Sequence, residues 1–440
     1  MSGIYASLIT FGFCFFYLAS QSQDSLRNNP LTIAEACKLA LDNSIQLKIA
    51  GTQTLLAKEE TQVQRLSQLP GISSSLDYGY LSNADVWNPS LSNHFVAGLP
   101  HPLTLFTVTA TETIFAGSRV NNTIRLAALE EQIAFLQQEK DETDIKFLVI
   151  AQYLDIYRLL NQDRVYIDNT NLAKQRLRNI LSLRRQGMVT LNDQLRTELT
   201  ISDYELATRT IANAVVELNN QLNSILGLPD NSRLLPDTTL LQQSLGHKTL
   251  NEFIDDAFRE NYELKITARE KDVAETRIKL LRGERLPEVG LFAQSNLQRP
   301  FLNAIPSVDV YYNVWRAGVS VSYDISSIYR SPRKIKEGLI GLDLARQQDS
   351  LQRQNLQVEV KNAFIKYNES QDEFDTYKRD LRSALENYRS VEKRYFNQLA
   401  LLTDLIDATN TKTEAEIRLV NSEIGVVYNY YQLMRTIGTL

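Results

Sequence analysis

Over Ile72 to Tyr80 the chain alternates, with Ile72, Ser74, Leu76, Tyr78 and Tyr80 on one face and Ser73, Ser75, Asp77 and Gly79 on the other. A period of two predicts a β-strand between two different environments. The strand is expected over about 71–81, with a Thr-rich partner, LTLFTVTATETIF, over 103–115. A polar loop containing Asn88-Pro89 and His101-Pro102 joins them. A second pair is expected over 288–298 (VGLFAQSNL) and 316–326, where Val319, Val321, Tyr323 and Ile325 alternate with Ser320, Ser322 and Asp324.

The rest of the pattern is helical. Leu31 to Leu69 reads as one helix stopped by Pro70, whose ring and missing N–H cannot continue the ladder. After each strand pair comes a long run almost free of breakers. Leu126, Leu129, Ile133, Leu136, Phe147, Ile150, Leu154 and Tyr157 keep a three-and-four spacing in the first. Val360, Phe364, Tyr367, Phe374, Leu381, Leu385 and Tyr388 keep it in the second. This is coiled-coil spacing. Asn121–Gly187 and Pro332–Gln398 hold 67 residues each; at ~1.5 Å per residue each helix would run roughly 100 Å.

Comparing the chain with itself changes the picture. Leu39 to Ile49 (LALDNSIQLKI) aligns with Asp256 to Ile266 (DAFRENYELKI), and the same offset carries Leu69-Pro70 onto Leu286-Pro287. At a slightly shorter offset Gln152-Tyr153 matches Ala363-Phe364, Asp193 matches Asp404, and Leu226-Gly227 matches Ile437-Gly438. The reading is a tandem repeat of helix, β-hairpin and long helical hairpin, with copies at 31–229 and 248–440 joined by a turn-rich linker at 230–247. The helical hairpins turn at about 184–193 and 395–404.

Composition narrows the class. Among 440 residues, 17 Gly and 11 Pro are few and favour long helices, while 43% hydrophobic and 22% charged residues exclude disorder. A net charge of −5 gives no basic stripe for a phosphate backbone, so nucleic acid is not an expected partner. Residues 1–20 carry no Asp, Glu, Lys or Arg and an apolar run from Ile4 to Leu18, too short for the roughly 20 residues of a spanning helix. They read as a secretory signal peptide, followed by a tail at 21–30. Cys14 lies in the apolar run, which leaves lipidation as the alternative to plain cleavage. Without Cys14 only Cys37 remains, so no intramolecular disulfide can form. Gly-Lys, HExxH, CxxC and GxSxG are absent, and His94, His101 and His247 lack metal-ligand spacing. No catalytic residue, cofactor or metal is expected.

Four strands with one apolar and one polar face cannot close a barrel, since the smallest membrane barrels need about eight. Several chains must share one barrel; three would supply twelve strands. At this point the chain resembles the TolC-like outer membrane efflux protein family. The element order matches over the whole mature chain, and RRQGMVTLNDQL (Arg184 to Leu195) and RYFNQLALLTDLIDATNT (Arg394 to Thr411) resemble that family's two helix tips. The resemblance implies an α+β membrane protein: a homotrimer whose twelve-stranded outer-membrane β-barrel continues as a periplasmic α-helical barrel. It implies passive exit for substrates of a tripartite efflux pump or a type I secretion system, with a periplasmic adaptor (membrane fusion) protein, an inner-membrane pump of RND or ABC type and outer-membrane lipid as partners. It further implies that Asp404 and Asp407 ring the constriction, that Tyr395 and Asp193 lock the closed state, and that Gly187, Met188, Gln398 and Leu399 contact the adaptor. Gln398 stands where the family usually has Gly, and Ala400 where some members carry a gating Arg. The competing reading is a periplasmic coiled-coil scaffold or adaptor that does not span the membrane.

Overall fold

The computed structural model describes residues 31–230, 232–236, 248–304 and 306–440. The signal peptide expected over 1–20, the tail at 21–30, His247 and most of the linker at 230–247 lie outside the described residues. In chain order the elements are α1 (Ile33–Asn43), α2 (Ile45–Leu66), β1 (Gly71–Tyr80), β2 (Ala84–Trp87), β3 (His94–Ala97), β4 (Pro102–Phe115), α3 (Arg119–Arg185) and α4 (Leu191–Leu226). They continue as α5 (Leu250–Glu260), α6 (Tyr262–Gly283), β5 (Glu288–Arg299), β6 (Tyr312–Ser322), α7 (Ser327–Phe396) and α8 (Leu402–Ile437). Helices α3 and α7 are 67 and 70 residues long.

Three details differ from the sequence expectations. The single helix expected from Leu31 to Leu69 is two, because Ser44 leaves helical geometry at φ −55°, ψ 122°. Its hydroxyl accepts the Leu47 N–H at 3.5 Å, and the flanking ladder persists through Ser44 N–H to the Ala40 carbonyl and Lys48 N–H to the Ser44 carbonyl. The loop expected between the first two strands holds a small ribbon of β2 and β3. The strand expected over 316–326 ends at Ser322. Beyond it the Asp324 carboxylate accepts the Ser326 N–H at 3.0 Å and turns the chain into α7.

The described residues divide into two compact units, those within Met1–Ala50, Gln138–Tyr262 and Arg353–Leu440 in one, those within Gly51–Gln137 and Glu263–Gln352 in the other. The second contains an antiparallel sheet in the order β1-β4-β5-β6. Its register runs from Gly71↔Thr111 to Tyr80↔Pro102, then Thr104↔Arg299 to Phe115↔Val289, then Glu288↔Ser322 to Gln298↔Tyr312. Directly opposed residues share a face, so Ile72, Leu76, Phe106, Val108, Leu291, Leu297, Trp315, Val319 and Val321 make one apolar face. The other carries Ser73, Ser75, Asp77, Thr107, Thr109, Thr111, Gln294, Asn296, Arg316 and Ser320. At the sheet's end Gly117 takes a left-handed φ of 61°, and a Cβ there would lie 2.6 Å from the Gly283 carbonyl oxygen. Only glycine allows that approach. Arg119 pairs with Glu288 beside it.

The first unit is helical. Its core joins Ala36, Ala40, Val149, Ile150, Leu154, Ile156, Leu222 and Leu226. The Asn43 amide donates to the Leu226 carbonyl at 2.9 Å, and the Asn261 amide donates to the Thr436 carbonyl at 2.9 Å. Each thereby satisfies an orphan acceptor at the end of α4 or α8. Cys37 packs against this core, and burial pushes its thiol up to about 11. The thiolate, the reactive form, therefore becomes abundant only as pH climbs towards that value. At pH 8 its maleimide labelling is expected to be about 100-fold slower than that of an unperturbed thiol. Labelling kinetics of the folded protein against its denatured form measure this.

Candidate functional site at the helix-hairpin tips

Both long helices end in the same backbone device. At the first tip Met188 N–H reaches back to the Leu183 carbonyl at 3.0 Å, with Gly187 at φ 73°. At the second, Leu399 N–H reaches the Arg394 carbonyl at 2.8 Å, with Gln398 at φ 60°. These are six-to-one closures around a left-handed residue. Glycine adopts that conformation freely, whereas Gln398 does so at a cost of ~1–2 kcal/mol. The Gln398 amide lies 4.0 Å from the Met188 sulfur, so the two tips meet within the chain. Gly187, Met188, Gln398 and Leu399 are all exposed.

The returning helices begin under carboxylates. Asp193 accepts the Thr190 N–H at 2.8 Å and the Thr190 hydroxyl at 2.9 Å, and the Thr190 hydroxyl accepts the Asp193 N–H, a complete capping box. Asp404 accepts the Leu401 N–H at 3.0 Å. Leucine offers no side-chain oxygen, so this second cap is one-sided. Asp404 and Asp407 are exposed, while Leu402, Leu405, Ala408 and Thr409 form the buried side of α8. Among the described residues no group of three or more His, Cys, Asp or Glu is arranged to hold a metal ion.

Tyr395 is buried beside Ile180, Tyr388, Leu402 and Leu405, edge-on to Phe396. Its hydroxyl has no hydrogen-bond partner among the described residues. Burial, and secondly the Asp193 charge, raise its pKa above the usual phenol value. Tyr395 and Asp193 are thus electrostatic neighbours without a hydrogen bond, because the Asp193 carboxylate is engaged by its own helix cap.

The sequence reading missed a polar seam behind the tips. Arg176 donates to the Thr409 hydroxyl at 3.0 Å and to the Tyr388 hydroxyl at 3.4 Å, and Tyr388 donates in turn to Glu392. Lys412 donates to the Asn169 oxygen at 3.2 Å, pairs with Glu416 at 3.3 Å and lies over the Tyr388 ring. Asn169 donates to Glu416 at 3.0 Å, and Tyr204 meets Thr413. The seam draws on α3, α4, α7 and α8, and Arg176, Asn169 and Lys412 are all under 10% exposed. A signal existed: Tyr166, Asn169, Ala173, Arg176 and Ile180 follow the three-and-four spacing, which puts polar residues on the inward stripe.

The chain thus combines a two-faced four-stranded sheet, long antiparallel helical hairpins and exposed carboxylates at their turns. The outer membrane efflux protein family model matches residues 253–439. Outer membrane protein TolC of Salmonella enteritidis is 22% identical over 401 residues, covering 87% of this chain and 77% of that protein, and TolC of Escherichia coli K12 is 22% identical over 402 residues with the same coverage. Among solved structures the outer-membrane channel OprN superposes with a TM-score of 0.78 at 13% identity, covering 93% of this chain and 90% of its own. VceC of Vibrio cholerae superposes at 0.76 and 12% identity, covering 92% and 96%. Residues 253–439 thus match the outer membrane efflux protein family, a family of transport channels, and over most of its length the chain is similar to outer-membrane channels of that kind.

Two substitutions separate the tip interactions. Asp193→Ala removes a cap worth ~1 kcal/mol and should speed amide hydrogen exchange over 188–195 roughly fivefold. Tyr395→Phe removes a hydroxyl without a partner among the described residues, so exchange there should stay unchanged.

Proposed function

We propose that three copies of this chain build a twelve-stranded outer-membrane barrel, continued in the periplasm by a barrel of their helices. The duct gives passive exit to cargo delivered by an inner-membrane pump of RND or ABC type through a periplasmic adaptor. One observation carries the reading: a four-stranded sheet with an apolar and a polar face ends at two edges, β1 and β6. Lipid offers no hydrogen bonds to edge N–H and C=O groups, so such a sheet is stable in hydrocarbon only as part of a closed surface. The paired lengths of α1 and α5 (11 residues each), α2 and α6 (22 each) and α4 and α8 (36 each) support descent from a tandem duplication. Asn43 and Asn261, making equivalent bonds to α4 and α8, support it too.

In this reading Asp404 and Asp407 of three copies form a ring of six carboxylates at the narrow end. Gly187, Met188, Gln398 and Leu399 meet the adaptor, and Tyr395 and Asp193 hold the closed state. The exposed position of both aspartates at the start of α8 supports the ring, since clustered carboxylates attract cations and repel anions. Detergent-extracted protein should be trimeric and should conduct ions in a planar bilayer; a water-soluble monomer after signal removal would instead favour the periplasmic scaffold. Asp404→Asn with Asp407→Asn should lower the cation-to-anion permeability ratio severalfold and weaken block by multivalent cations from the periplasmic side. Unchanged selectivity in that double variant would place these carboxylates on an outer, solvated face.

A further inference from the structure

The two edges of the sheet each carry one charged residue, Asp77 on β1 and Arg316 on β6, and both lie on the polar face. Following the pairing across the sheet from Ser73 through Thr109 and Gln294 arrives at Arg316, so Ser73 and Arg316 are level. When β6 of one copy pairs with β1 of the next, the two-residue pleat restricts the offset to even steps, because an odd step would turn one strand's apolar side chains into the lumen.

Strand length and tilt then select one offset. With Arg316 opposite Asp77, Gly71 falls opposite Ser322 and Tyr80 opposite Asn313, so all ten residues of β1 find partners. Offsets two residues to either side, or level pairing, leave part of β1 unpaired. Repeated in three copies, this four-residue step gives a barrel shear of about 12, which for twelve strands about 4.8 Å apart tilts them by roughly 35°. That tilt is at the lower end of the range for closed barrels, whereas level pairing would leave the strands untilted. Charge agrees with geometry. Arg316 is held by the Gln294 oxygen at its Nε (2.8 Å) and by the Phe292 ring, which leaves its terminal nitrogens available. Among the described residues Asp77 makes no ion pair.

We propose that the copies join edge to edge with Asp77 of one opposite Arg316 of the partner subunit, an ion pair on the lumen face that sets the register of barrel closure. The proposal rests on the trimeric-barrel reading above. Directly opposed residues of an antiparallel pair have Cα atoms about 4.5–5.5 Å apart, within disulfide reach. The test uses the full chain in outer-membrane vesicles, where half-buried Cys37 is a slow thiol. Oxidised Asp77→Cys/Arg316→Cys protein should run on a non-reducing denaturing gel as covalent dimers and trimers that a reductant dissolves, and either single variant should run as monomer. Stronger cross-linking by Ser75→Cys/Arg316→Cys or Gly79→Cys/Arg316→Cys would overturn the register. Absence of cross-links in protein that is trimeric in detergent and conducts would overturn the pairing and leave the duct intact; absence in monomeric protein would sink both. Asp77→Arg alone should reduce the SDS-resistant trimer, and adding Arg316→Asp should restore it. Failure of that restoration would overturn the ion pair.

Discussion

In the proposed barrel, a sheet edge in hydrocarbon is the constraint from which most of the arrangement follows. Each unpaired N–H or C=O left in lipid costs several kcal/mol, so the alternating faces of β1, β4, β5 and β6 make sense only when their outer edges are covered. The same constraint explains why the polar face is a field of hydroxyls and amides, Thr107, Thr109, Thr111, Gln294 and Asn296, instead of a packed core. It explains the junction as well. Gly117 must pass within backbone contact of Gly283 where α6 enters β5 and β4 leaves for α3.

Within the helical unit, stability is graded. The core around Val149, Leu154, Ile156, Leu222 and Leu226 is apolar and fully closed to solvent, which is where burial contributes most per residue. Towards the tips, Asn169, Arg176, Lys412 and Thr409 replace aliphatic residues on the inward stripe, before Ile180, Leu402 and Leu405 close a small apolar cluster at the end. Buried charges carry a desolvation cost that their hydrogen bonds largely offset, so such a seam specifies alignment more than it adds stability.

The long-period features were legible in the sequence because they are local. The two-residue alternation of β1 needs only Ile72 to Tyr80, the stop at Pro70 is a property of one ring, and the length of α3 follows from an unbroken stripe. Features that join distant segments were not legible. Arg176 and Thr409 are 233 residues apart in sequence, and nothing in either segment names the other. The break at Ser44 escaped notice because serine is tolerated inside helices and only its hydroxyl bond to Leu47 marks the turn. The beginning of β6 was missed because Tyr312 and Val314 put large side chains on the face that is polar elsewhere, which breaks the alternation, and its pairing with Ser295 to Gln298 decides the matter.

The polar seam behind the tips has a consequence for motion. Separating an apolar interface exposes surface to water all at once, with a penalty proportional to area. The contacts of Arg176, Lys412 and Asn169 can instead be handed over to water molecules one hydrogen bond at a time, each exchange nearly neutral. Once the small apolar cluster of Ile180, Leu402 and Leu405 at the tip has parted as a unit, hydration can therefore spread inward along the seam as a zipper opens, as far as the aliphatic layer at Leu154 and Leu222.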